Sequence, residues 1–284
     1  MSHHRPGRLA AVVTTGLAIA AGVSTTAFAT PDHNHRHWPE AKPTVVLVHG
    51  AWSDSSSWSG VVKRLQGDGY KVSAPAMPLR DLSSDSAYLA DYLKTVKGPI
   101  VLVGHSYGGA VITNAATGNS QVKALVYVAA FAPDKGESTA DLVAKFSGSH
   151  LSDDPNAPLP TALSPVPFTQ ADGSTGTDLY IKPDKYRDVF LSDQVNSAKA
   201  AELAATQRPI TARAVGEPSG TPAWKTIPSW YLVALEDHTL PAAAERAMAA
   251  RAHAHTVEVA GPHAIAVTDP QAVTHLAELA ATAR

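Results

Sequence analysis

The chain has 284 residues, of which 44% are hydrophobic and 17% charged, and this is enough apolar content for one sizeable core. The formal net charge of -2 offers no basic excess for a phosphate backbone, so the composition argues against nucleic-acid binding. There is no cysteine, which excludes thiol chemistry and disulfides. These properties favour a single domain of catalytic size that acts on a neutral or mildly charged small molecule.

The first 29 residues have the features of an export signal. Two arginines precede the apolar run 9–21, and small residues end in Ala27-Phe28-Ala29, the A-x-A pattern of a cleavage site. An uncleaved membrane anchor is the alternative, but threonines and serines dilute the apolar run. The sequence therefore predicts cleavage after Ala29, secretion, and no stable membrane association of the mature protein.

Residues 30–43 form a His- and Pro-rich segment that is typical of a polar tether. Its His33, His35 and His37 follow an H-x-H-x-H spacing that can bind a metal weakly. A solvated linker is favoured because no acidic or cysteine partner completes a site. No metal and no organic cofactor is predicted.

From Thr44 onward, short apolar runs alternate with longer amphipathic stretches, a pattern typical of βα units on a parallel sheet. We predict one α/β domain over 44–284, with six mainly parallel strands flanked by helices. The strands are expected at about 44–49, 70–75, 99–104, 123–130, 228–235 and 255–260, and the helices at about 57–67, 84–97, 106–117, 241–252 and 270–283.

This alternation fails between about 133 and 227, where Pro, Gly, Ser and Asp are frequent. Helical patterning there is patchy, around 139–147, 183–191 and 196–206. So long an interruption inside a compact domain is usually a functional insertion. We predict a cap over the C-terminal edge of the sheet, in which Leu142, Phe146, Phe168, Tyr180 and Phe190 line a pocket or form the cap core.

The strongest motif is Gly104-His105-Ser106-Tyr107-Gly108, which follows an aliphatic strand and opens a helical stretch. In this strand-turn-helix context G-x-S-x-G holds a serine hydroxyl above the sheet, because glycine permits a turn too tight for a Cβ. An ordinary serine turn is the alternative, but the context favours a nucleophile. Ser106 is therefore the predicted nucleophile.

A serine nucleophile needs a base, and the base needs a carboxylate that orients it. Asp237 follows the predicted strand 228–235 and His263 follows the strand 255–260, so both lie past the C-terminal end of a strand, where α/β enzymes place their sites. Asp237 is the predicted acid and His263 the predicted base.

Other residues compete for these roles. Asp134, after the strand 123–130, is the main rival acid, and Glu236 is a weaker one. The rival bases are more typical of surface or supporting histidines: His238, His253, His255 and His275.

An oxyanion hole requires two preorganised N–H donors. Tyr107, directly after the nucleophile, is expected to supply one backbone N–H, and Ala51, in the loop after the first strand, the other. The alternative for His49-Gly50-Ala51-Trp52 is a plain turn that ends the strand with a core Trp.

These motifs, together with Asp237 and Gly261 to His263, resemble the α/β-hydrolase superfamily. Within it, the chain is similar to bacterial esterases related to the plant methylesterase and hydroxynitrile lyase branch, over nearly all of 44–284. The resemblance implies a serine carboxylic-ester hydrolase that acts on a small ester without a cofactor.

Fold resemblance leaves the reaction open, because this branch also contains lyases and oxygenases. Its hydroxynitrile lyases typically have Thr at the position of Gly50 and Lys at that of Ala264, so both lyase markers are missing here. A lyase remains the alternative enzyme, and a ligand-binding protein that retains the triad remains the non-catalytic alternative.

Overall fold

A computed structural model describes residues 42–154 and 156–283. The predicted leader (1–29) and most of the predicted tether lie outside the described residues. Within the described part of the chain, no helix combines the length and the apolar character that a bilayer crossing requires.

The described residues form the expected α/β alternation. The strands are β1 (Thr44–Val48), β2 (Val72–Ser73), β3 (Ile100–Ser106), β4 (Val122–Ala130), β5 (Leu163–Thr169), β6 (Thr175–Ile181), β7 (Ile210–Thr211), β8 (Ser229–Ala234) and β9 (His255–Val259). The helices are α1 (Ser59–Gly67), α2 (Leu82–Thr95), α3 (Tyr107–Ala115), α4 (Thr139–Ala144), α5 (Pro183–Leu191), α6 (Ser197–Ala205), α7 (Ala212–Gly216), α8 (Ala242–Arg251), α9 (Ile265–Thr268) and α10 (Pro270–Thr282).

The main sheet has the strand order β2-β1-β3-β4-β8-β9, and every neighbouring pair is parallel. All six predicted strands are present, so the predicted fold class is confirmed. The second strand is shorter than expected, with only Val72 and Ser73 paired to β1. Pro75 lies in the missing part, and a proline has no N–H to donate to a ladder.

Both faces of this sheet are covered, because successive side chains of a strand point to opposite sides. On β1, Val46 and Val48 belong to the core shared with α2, α3 and α8, whereas Val45 and Leu47 belong to the core shared with α1 and α10. Fully buried parallel strands read as continuous apolar runs, which is the pattern that predicted them.

Local capping explains several helix starts. Asp81 accepts the Ser84 N–H before α2, and Ser138 and Asp141 form a capping box at α4. Asp269 accepts the Ala272 N–H before α10, which has a proline in its first turn.

The segment between β4 and β8, here called the insertion, holds α4 to α7 and a second sheet in the order β5-β6-β7. Its three patchy helical stretches do form helices, but the antiparallel β5–β6 hairpin was not predicted. Pro165 and Pro167 interrupt the strand pattern of β5. They are tolerated because β5 is an edge strand, where one side needs no ladder partner.

Candidate active site

Ser106 lies at the turn between β3 and α3, with φ of 53°. This left-handed conformation is unusual for a residue with a side chain and stores local strain. The neighbouring glycines make the turn possible: a Cβ on Gly104 would lie 2.6 Å from the Gly108 carbonyl oxygen, and one on Gly108 would overlap the Val48 carbonyl. The serine hydroxyl is thereby held at the C-terminal end of β3.

Ser106, His263 and Asp237 form one chain of hydrogen bonds. Oγ of Ser106 lies 2.8 Å from Nε2 of His263, and Nδ1 of His263 lies 2.5 Å from Oδ2 of Asp237. An ionised carboxylate only accepts, so Nδ1 carries the imidazole proton and Nε2 accepts from the serine hydroxyl. This tautomer is the one that a base acting on Ser106 requires.

The loop after β8 fixes the Asp237 carboxylate. Its Oδ1 accepts the backbone N–H groups of Thr239 and Leu240 at 2.6 and 2.7 Å. Both Asp237 and His263 are buried. One carboxylate oxygen is therefore occupied by the backbone, and the other is left for the imidazole.

His105, to which the sequence analysis gave no role, supports the backbone of His263. Its Nε2–H donates to the His263 carbonyl oxygen at 2.8 Å, while the Ala264 N–H donates to the Phe190 carbonyl at 3.2 Å. Burial, followed by the proximity of His263, lowers the pKa of His105 to about 3, so this imidazole stays neutral. In the sequence, this supporting role of His105 is indicated only by its position inside the G-x-S-x-G motif.

The loop after β1 runs directly against the serine. A Cβ on Gly50 would lie 2.6 Å from the Ser106 Cβ. The Trp52 N–H donates to the Arg208 carbonyl at 2.8 Å and is therefore occupied, which excludes Trp52 as a free donor of this loop. Tyr107 is the first residue of α3, where N–H groups lack an intrahelical acceptor. Both predicted oxyanion donors thus lie on segments that contact Ser106.

His49 connects this loop to the chain that follows β2. Its Nε2 accepts the Met77 N–H at 2.9 Å, so the proton is on Nδ1, which donates to the Gly50 carbonyl at 2.9 Å. Burial is the main cause of a lowered pKa for His49, and the ring stays neutral.

Two further acidic groups near the site were missed by sequence reasoning. Asp85 on α2 accepts the Tyr107 hydroxyl at 2.9 Å, and burial raises the pKa of Asp85 to about 6. Glu245 on α8 accepts the Ala234 N–H at 3.2 Å, and burial together with the Asp237 charge raises the pKa of Glu245 well above its usual range. Neither belongs to a motif, and in the sequence each is an ordinary helical acid whose burial arises only when the helix packs.

The rival acids and bases lie outside the Ser106–His263–Asp237 chain. Asp134 pairs with Lys225 at 2.6 Å, and Glu236 is exposed. His238 contacts Asp188 at 2.9 Å instead of Ser106. The remaining rival histidines are exposed: His253, His255 and His275.

A cavity of about 730 Å³ extends from Ser106 and Tyr107 under the insertion. Most of its wall is apolar and includes Val143, Phe146, Leu151, Leu163, Leu179 and Val215. Of the five insertion residues considered from sequence, Phe146 lines this cavity. Phe190 instead packs edge-on against His263, with ring centroids 5.2 Å apart.

The fold and this constellation define an α/β hydrolase. Residues 45–276 match the model of the alpha/beta hydrolase family, and the chain belongs to that family. It is 27% identical over 223 residues to a pyrethroid hydrolase of Sphingobium wenxiniae, covering 72% of this chain and 74% of the relative. It is 34% identical over 113 residues to a carbendazim hydrolyzing esterase of Nocardioides sp., covering 35% of this chain and 47% of the relative.

Solved structures agree on the fold. Polyneuridine aldehyde esterase superposes with a TM-score of 0.69 at 17% identity, over 84% of this chain and 98% of that one. An extracellular α/β-hydrolase from a Paenibacillus species, described as homologous to tobacco salicylic acid binding protein 2, gives 0.63 at 20% identity, over 85% and 100%. The predicted resemblance to this branch is confirmed, and the similarity to named hydrolases and esterases supports a hydrolase.

Proposed function

We propose that the protein is a secreted carboxylic-ester hydrolase that forms an acyl-enzyme on Ser106. The observation that carries the proposal is the buried Ser106–His263–Asp237 hydrogen-bond chain, whose carboxylate partner assigns to His263 the tautomer that a general base needs. Support for export comes from the leader-like composition of residues 1–29.

In this mechanism the Ser106 oxygen attacks the ester carbonyl while Nε2 of His263 takes the hydroxyl proton. The Asp237 carboxylate stabilises the imidazolium that forms. The N–H groups of Ala51 and Tyr107 hold the oxyanion, and the alcohol leaves with the proton from His263. Water then attacks the acyl group while His263 takes a proton from it. The acid product leaves as His263 returns that proton to the Ser106 oxygen, and no cofactor takes part.

The cavity suggests which esters fit. Its volume of about 730 Å³ lies within the range of ~300–1,000 Å³ typical of small-molecule sites, and its wall is mainly apolar. We propose a small-molecule ester with a bulky apolar acyl or alcohol group. The names of two relatives, a pyrethroid hydrolase and a carbendazim hydrolyzing esterase, agree with this class.

The test is turnover of p-nitrophenyl esters by the wild-type protein and by Ser106→Ala. We expect the variant to lose at least ~10³-fold in kcat, because the reacting hydroxyl is gone while packing hardly changes. The fold is checked by circular dichroism. A variant that keeps more than about a tenth of the activity would remove Ser106 from the mechanism, and an inactive wild-type protein would favour a ligand-binding role.

A further inference from the structure

A second cluster of polar side chains lies where the insertion meets the loop after β8. Nδ1 of His150 and Nδ1 of His238 each lie 2.9 Å from the same oxygen, Oδ1 of Asp188. One potential ligand atom from each residue lies within 4.8 Å of the other two. Three donors from three separate segments therefore converge on one point, and the proposed ester mechanism uses none of them.

These three side chains offer the ligand atoms that a zinc ion prefers. Two imidazole nitrogens and a carboxylate oxygen are ligands that Zn²⁺ takes at about 2.0–2.2 Å. The rings of His150 and His238 are stacked, with centroids 3.9 Å apart, and present the same ring nitrogen to Asp188. The side chain of His150 is 44% exposed, that of His238 31% and that of Asp188 41%. Water can therefore complete the coordination of a bound ion.

The backbone around the cluster is already ordered. The His150 N–H donates to the His238 carbonyl at 2.7 Å, and the Ser149 hydroxyl donates to the Thr239 carbonyl at 2.8 Å. The Thr239 hydroxyl in turn donates to the Val189 carbonyl on α5 at 2.7 Å. These bonds hold all three ligand segments together without a metal, so an ion has little chain ordering to impose.

We propose that His150, Asp188 and His238 bind a Zn²⁺ ion, with water in the remaining positions. Each neutral imidazole binds through Nδ1, and its single proton moves to Nε2. Such an ion ties the insertion to the loop that carries Asp237. Since the unfolded chain lacks this arrangement, binding stabilises the folded state.

The experiment measures Zn²⁺ binding by isothermal titration calorimetry and Tm with and without ZnCl₂, on the metal-stripped full-length protein. The variants are His150→Gln and Asp188→Asn, and the control is His255→Gln, an exposed imidazole on β9 outside the cluster. All retain His33, His35 and His37, so weak binding by the tether is the same in each.

We expect wild type and His255→Gln to bind one more tight Zn²⁺ than the two cluster variants and to show a Zn²⁺-dependent rise in Tm. Loss of one ligand should weaken Zn²⁺ binding by about tenfold or more, since even the loss of a group that only orients a ligand costs ~10–100-fold. Equal stoichiometry and equal Tm response in wild type and His150→Gln would overturn the proposal and leave a hydrogen-bonded His–Asp–His cluster. Because the readouts are binding and Tm, the result is independent of the proposed ester hydrolysis.

Discussion

An Asn at position 237 occupies nearly the same volume as Asp but reverses one hydrogen bond. Oδ1 of Asp237 accepts the Thr239 and Leu240 N–H groups, so the Asn carbonyl oxygen would take that place. The amide NH₂ would then face Nδ1 of His263 and force this nitrogen to accept. The imidazole proton would move to Nε2, facing Ser106, and the ring could no longer take the serine proton.

Asp237→Asn should therefore lower kcat by about 10⁴-fold, equivalent to ~5 kcal/mol of transition-state stabilisation. KM should change little, because the cavity wall in the described residues does not include Asp237. The assay is steady-state hydrolysis of an activated ester, with circular dichroism to confirm folding.

Asp134→Asn is the matched control. Asp134 pairs with Lys225 and its side chain is 33% exposed, so this change should alter kcat by no more than about threefold. Near-normal turnover by Asp237→Asn, or the large loss in Asp134→Asn, would refute the assignment of the acid.

Three further outcomes are expected. Gly50→Ala should lower kcat about tenfold or more and also lower Tm, because the new Cβ would lie 2.6 Å from the Ser106 Cβ and 2.8 Å from the His105 carbonyl oxygen, so that the loop must shift and displace the Ala51 N–H; wild-type kinetics would contradict this. The folded-state pKa of Asp85 is raised from 3.8 to about 6, so the contribution of this one group to the stability of the wild-type protein falls by up to ~3 kcal/mol as pH rises from about 4 through 6. Asp85→Asn keeps an acceptor for Tyr107, so its stability relative to wild type in urea melts should rise between pH 4 and pH 8; a constant difference would refute the argument. N-terminal sequencing of protein from the culture medium should begin at Thr30, whereas an intact Met1 on a membrane-held form would argue against cleavage.

The sequence by itself determined the architecture and the segments of the candidate site. Apolar runs of strand length are local signals, and all six strands of the main sheet formed where they predicted them, apart from a short β2. The G-x-S-x-G turn is local in part, since Gly104 is required by the close approach of the Gly108 carbonyl, whereas Gly108 is required by the backbone of the adjacent β1. Strand ends meet at one edge of a parallel sheet, which is why Asp237 and His263 could be grouped with Ser106.

Only the tertiary structure decided which polar groups meet. Asp237 and Asp134 both follow strands, and the difference arises because backbone N–H groups orient Asp237 towards His263 while Lys225 holds Asp134 away. The β5–β6 hairpin remained hidden, because Pro165 and Pro167 weaken its strand pattern and are tolerated only at the edge of a sheet. The burial of Glu245 and the convergence of His150, Asp188 and His238 depend on contacts between segments far apart in the chain, and no periodicity or local motif records such contacts.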